Sequence, residues 1–125
     1  MKHLLIVTAL MELGAGLALI CWPSVVAALL LGSPLETPAA QTIARLGGAA
    51  LLSLGIACGL AWGEEQSREG RGIVVAMLVY NLAAVVLFAA VGIGAGLVGI
   101  ALWPAIILHA MMTIWCVAFL RRGRA

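Results

Sequence analysis

Four apolar stretches divide this chain, at about 4–22, 41–62, 72–93 and 99–120. Each is close to the roughly 20 residues that a helix needs to cross a bilayer. The links between them are short. The segment 32–38 (GSPLETP) carries two prolines and breaks any helix, 63–72 (GEEQSREGRG) holds most of the charge, and 92–99 (GIGAGLVG) is an uncharged, glycine-rich turn. Short links between sequential helices favour antiparallel neighbours. The reading is therefore all-α, a transmembrane up-down four-helix bundle forming a single membrane domain over residues 1–125. Pro23 opens a second apolar stretch, SVVAALLLG, too short to cross alone. Proline suits the first turn of a helix, so a short interfacial helix is expected after span one.

Composition removes the soluble alternative. Of 125 residues, 65% are hydrophobic and 10% charged, against about 25% charged in soluble domains. A soluble fold of this length lacks the interior to hide so much apolar surface. The net charge of +2 is too small to point to nucleic acid. The expected partner is the lipid bilayer, with a homodimer or a larger membrane complex compatible with the same surface. Cys21, Cys58 and Cys116 are odd in number and show no CxxC spacing, so free thiols are expected rather than a disulfide or metal framework.

Charge placement sets the expected orientation. Lys2, Arg68, Arg71, Arg121, Arg122 and Arg124 fall on one side if there are four spans, and the other side offers Glu36. Positive charge marks the inner face, so both termini should lie in the cytoplasm of a multi-pass protein of the inner membrane. Trp22 and Trp103 at one end, with Trp62 and Trp115 towards the other, fit aromatic belts. Glu12 and the length of the first run argue against a cleavable signal peptide, so the segment is expected to be retained.

Glu12 is the residue that invites a functional reading. It stands inside the uncharged run LLIVTALMELGAGLALICW, where a carboxylate is costly and usually has a purpose. Counted at about 1.5 Å per residue from the inner end, Glu12 lies at roughly 12 Å, Ser53 at roughly 13 Å, Tyr80 and Asn81 at roughly 12–14 Å and His109 at roughly 16 Å. Each span thus offers a polar group at similar depth. Glu12, Asn81 and His109 are expected to converge, with Tyr80 or Ser53 nearby. Arg45, roughly 10 Å nearer the outside, is expected to reach towards Glu12. Gly55, Gly59 and Gly63 suggest a small-residue packing row on span two. These side chains are candidates for holding a ligand or carrying a proton, or for binding the helices to each other.

Catalytic signatures are missing. The sequence has no GxGxxG, P-loop, HExxH or nucleophile elbow. Glu12 and His109 alone would under-coordinate a metal. Self-contained catalysis is not expected, and no cofactor is indicated.

Two families share features with this chain. The segments MELGAGLALICWPS, ARLGGAALLSLGIACGLAW, YNLAAVVL and LWPAIILHAMMTIWCVAFLRR resemble the DoxX-like group of small four-helix membrane proteins. The resemblance implies a bundle in the cytoplasmic membrane, and for some relatives an association with membrane redox systems, including quinone-linked thiosulfate oxidation. It suggests an accessory or ligand-binding component that holds a lipid, a quinone or another small molecule. The stretch ALMELGAGL is also similar to the first span of small multidrug resistance transporters, whose membrane-embedded glutamate exchanges protons for cationic substrate. That family's aromatic residues and third-helix glycine pattern are not evident here, and Arg45 would compete with a cation for Glu12. A structural subunit of a larger membrane complex is the remaining reading.

Overall fold

The computed structural model describes residues 3–122. Five helices follow one another: α1 (Leu4–Cys21), α2 (Pro23–Leu31), α3 (Pro38–Leu60), α4 (Arg68–Ala90) and α5 (Leu102–Arg122). No strand occurs among the described residues. Helices α1, α3, α4 (with a π-helical turn, Val91–Ala95, that prolongs it) and α5 are long and apolar enough to cross a membrane. The protein is an all-α four-helix bundle of multi-pass membrane type, and α2 is the short fifth helix expected after Pro23.

Local chemistry explains the helix ends. Pro38 opens α3 three residues before the apolar run begins, because Thr37 caps it by accepting from the Ala40 amide at 3.1 Å. Ser67 caps α4 in the same way, accepting from Gly70 N at 3.0 Å. Gly32 takes φ +72° and ends α2, with its amide bonded to Ala28 O. Helix α5 starts at Leu102, later than the apolar run. The preceding residues are diverted to α2: Gly99 N and Ala101 N donate to Leu30 O and Leu29 O, at 3.0 and 2.8 Å. A Cβ on Gly99 would collide with Leu29 O, so this seam depends on glycine.

The bundle consists of two tight antiparallel hairpins. In the first, α1 and α3 meet almost backbone to backbone. A Cβ on Gly16 would stand 2.7 Å from Gly48 O, and one on Gly55 would stand 2.9 Å from Leu13 N. The contact row is therefore Gly16, Gly48 and Gly55. It differs from the expected run of Gly55, Gly59 and Gly63. Gly59 makes only an ordinary contact, and Gly63, at φ +91°, belongs to the link after α3. In the second hairpin, Arg71 Nη2 donates to Leu120 O at 3.3 Å, tying the start of α4 to the end of α5. The apolar core joins all four spans near this end. Leu4, Leu5, Ala9, Cys58, Val74, Met77, Met112, Cys116 and Phe119 are buried together there. Large apolar side chains such as Ile43, Val79, Leu87 and Ile114 point outward, as lipid-facing residues do.

Candidate functional site

The candidate residues come from both hairpins: Glu12 from α1, and Asn81 and His109 from α4 and α5. On α1, Thr8, Glu12 and Gly16 follow at four-residue intervals and share a buried face. Gly16 lets α1 lie against α3, which turns this face inward. Glu12 is 3% exposed, an unusual state for a carboxyl side chain. Thr8 satisfies itself by donating to Leu4 O at 2.8 Å, so it does not hold Glu12. No hydrogen bond or ion pair to Glu12 occurs among the described residues. Its oxygens are not sealed either, since the one fully enclosed, unpartnered side-chain oxygen there is Oε1 of Glu65. The Glu12 carboxyl thus keeps a trace of surface accessibility at 3% exposure. It also lies within electrostatic reach of Tyr80 and Cys58.

In the second hairpin, α4 and α5 present a locked pair. Asn81 is 1% exposed and its Nδ2 donates to Met77 O at 2.8 Å. That bond fixes the amide, so Oδ1 faces His109 Nδ1 at 2.8 Å. A carbonyl oxygen only accepts, so Nδ1 carries the hydrogen. In the neutral ring Nε2 is then left as a lone-pair acceptor. Tyr80 packs edge-on to the imidazole, with ring centroids 5.6 Å apart at 83°. Phe88 lies on another side at 6.0 Å and 48°. The imidazole is held in orientation by a hydrogen bond and two rings.

Two expected members stand elsewhere. Ser53 is exposed on the bundle surface and donates to Ala49 O at 2.9 Å. It shares the depth of the site but faces away from it, because α3 turns Gly48 and Gly55 towards α1. Arg45 is exposed too. Its Nε donates to Ile20 O at 3.2 Å, satisfying a carbonyl in the last turn of α1. Arg45 therefore clamps the first hairpin and makes no ion pair with Glu12.

Two residues escaped sequence reasoning. Phe88 reads as one more apolar residue, and only its position two turns after Tyr80 hints at a shared face. Glu65 sits in a charged link that reads as solvated, yet it is 7% exposed. The link folds onto the first turn of α4 so closely that a Cβ on Gly70 would collide with Glu64 O.

No group of three or more histidine, cysteine or acidic side chains that could hold a metal occurs among the described residues. An apolar groove of about 460 Å³ runs between α1 and α5, lined by Val7, Met11, Leu108, Met111, Met112, Ile114 and Trp115. It touches the neighbours of Glu12 and His109 in sequence, not those two residues themselves. Glu12 and the Nε2 of His109 are each left without a hydrogen-bond partner among the described residues. No protein-family model, curated protein or solved structure matches this chain.

Proposed function

We propose that this multi-pass membrane protein binds a small, hydrogen-bond-donating ligand within the bilayer, using Glu12 and His109 as acceptors. The observation that carries the reading is Glu12, which is 3% exposed and has no partner among the described side chains. A buried polar group without a partner costs free energy, so its retention favours a partner that arrives from outside the chain. The orientation of His109 by Asn81 supports the same reading, since it prepares one ring nitrogen for an incoming donor. A lipid, a quinone or another small molecule meets this requirement. In this proposal the protein is an accessory component of DoxX-like type, in the cytoplasmic membrane with both termini inside. Homodimeric or larger assemblies are compatible partners.

One observation favours a second reading, proton-coupled transport of a cation. Arg45 is engaged with Ile20 O, so it does not compete for Glu12. Vesicle uptake driven by a pH gradient and lost in Glu12→Gln would select this reading.

The test of the binding proposal is retention of a ligand. The protein, extracted with its surrounding lipid by an amphipathic polymer, should carry a stoichiometric small molecule visible by mass spectrometry. Glu12→Leu should lose it while keeping its helical circular dichroism. Equal retention by the variant, or none by the natural chain, sinks the proposal.

A further inference from the structure

Two grooves on the second hairpin share one arginine. The first, of about 450 Å³, follows α5 and is lined by Thr113, Ile114, Val117, Ala118, Arg121 and Arg122. The second, of about 200 Å³, lies between α4 and α5 and is lined by Leu78, Val117, Leu120 and Arg121. Val117 and Arg121 belong to both. Apart from Thr113, whose hydroxyl is spent on His109 O, the remaining lining is apolar.

Polarity runs along the helix axis. Thr113 lies roughly 13 Å from Arg122 at about 1.5 Å per residue, so the first groove reaches from the helix end well into the span. Helix α5 ends on Arg121 and Arg122 and carries no acidic side chain. Arg121 makes no hydrogen bond or ion pair among the described residues. Arg71 brings a further positive charge to the same end, with its Nη2 on the carbonyl of Leu120, the residue before Arg121. The acidic side chains of the link before α4 face another side. Glu64 and Glu69 line a separate groove with Ala57, Leu60 and Ile73, between α3 and α4. No carboxylate lines either groove at Arg121.

A cationic end at the membrane surface, with apolar grooves leading inward, has the polarity of a phospholipid in that leaflet. Guanidinium binds phosphate through paired N–H donors. Basic sites at the ends of membrane helices take anionic headgroups. An arginine alone would hold any anion, and the grooves add a requirement for hydrocarbon. Two grooves that meet at one guanidinium suit two chains leaving one head. A zwitterionic lipid carries its own cation beside the phosphate and gains less from Arg121.

We propose that the Arg121 end of α5 binds a two-chain anionic phospholipid. Its phosphate sits on Arg121, and its chains lie in the grooves on either side of Val117. This site is separate from Glu12 and His109 and does not rest on the binding reading above.

Native mass spectrometry tests it, with the full chain released from mild micelles that hold equal amounts of phosphatidylglycerol and phosphatidylcholine with the same chains. The natural chain should retain phosphatidylglycerol in preference. Arg121→Gln should reduce that retention about fivefold. Arg68→Gln removes the same charge outside both grooves and should leave it unchanged. Ile114→Trp, within the first groove, should reduce it, and Ile107→Trp, two turns away on α5, should not. All four positions are exposed, so the variants should keep their helical circular dichroism. Glycerol phosphate, a head without chains, should not displace the lipid. Equal retention of the two lipids, equal losses in Arg121→Gln and Arg68→Gln, or equal losses in the two tryptophan variants would overturn the proposal. Displacement by glycerol phosphate would mark a simple anion site and overturn it too.

Discussion

At the scale of residues, the polar side chains of the spans divide by what satisfies them. Thr8, Ser53 and Thr113 each donate to the carbonyl four residues earlier and need nothing else. Asn81 and His109 satisfy each other across two helices. Arg45 satisfies the end of α1. Glu12 has no hydrogen-bond or ion-pair partner among the described residues, and the Nε2 of His109 is likewise left open. This sorting makes a prediction about coupling. Since Arg45 and Glu12 do not pair, Glu12→Gln and Arg45→Ala should change stability additively, within about 0.5 kcal/mol. Unfolding of the two single variants and the double variant in mixed micelles measures it. A coupling above about 1 kcal/mol would show an interaction between the two side chains. The sequence placed Glu12, Asn81 and His109 at one depth, because depth follows from counting along a straight helix. It placed Ser53 there too, and wrongly inward, because azimuth depends on which face a partner helix covers.

At the scale of elements, the first hairpin rests on close backbone approach. Hydrocarbon offers no hydrophobic drive for helix association, so small residues and tight packing take over that role. Gly48 and Gly47 give a matched comparison. A Cβ at Gly48 meets Gly16 O at 2.7 Å, and one at Gly47 meets nothing within 4 Å. Gly48→Ala should destabilise by roughly 1–3 kcal/mol through overpacking. Gly47→Ala should be neutral, or stabilising by roughly 0.4–1 kcal/mol through reduced freedom of the unfolded chain. Equal effects at the two sites would mean that α1 and α3 are not in this register. The existence of the helices was legible in the apolar runs, and the start of α2 in Pro23. The capped starts of α3 and α4 lie outside those runs, at Thr37 and Ser67, where a side-chain oxygen can meet an amide. The row Gly55, Gly59, Gly63 has regular spacing in sequence, but α3 ends at Leu60, so Gly63 could not extend it.

At the scale of the whole molecule, the fold is two hairpins with an apolar core at one end. The thiols report on this arrangement. Cys58 and Cys116 are fully buried, whereas Cys21 is exposed at the end of α1 opposite Arg121 and Arg122. A membrane-permeant maleimide should add one mass to the native protein and three after denaturation in sodium dodecyl sulfate. With both termini cytoplasmic, as proposed, an impermeant maleimide should reach Cys21 only from the outer face of intact cells. Labelling only from the exposed, cytoplasmic face of inverted vesicles would reverse the proposed orientation.

The sequence by itself determined that this chain belongs in a bilayer, how many times it can cross, and at what depth its polar groups lie. Those properties depend on composition and on distance along each helix, and both can be read one segment at a time. The tertiary structure decided which polar groups meet, that Arg45 turns to a helix end, and that Glu12 is left without a partner among the described residues. It also opened the apolar groove between α1 and α5. These are rotational and pairwise properties. They depend on which glycine faces which backbone, and that choice is made only when the helices pack.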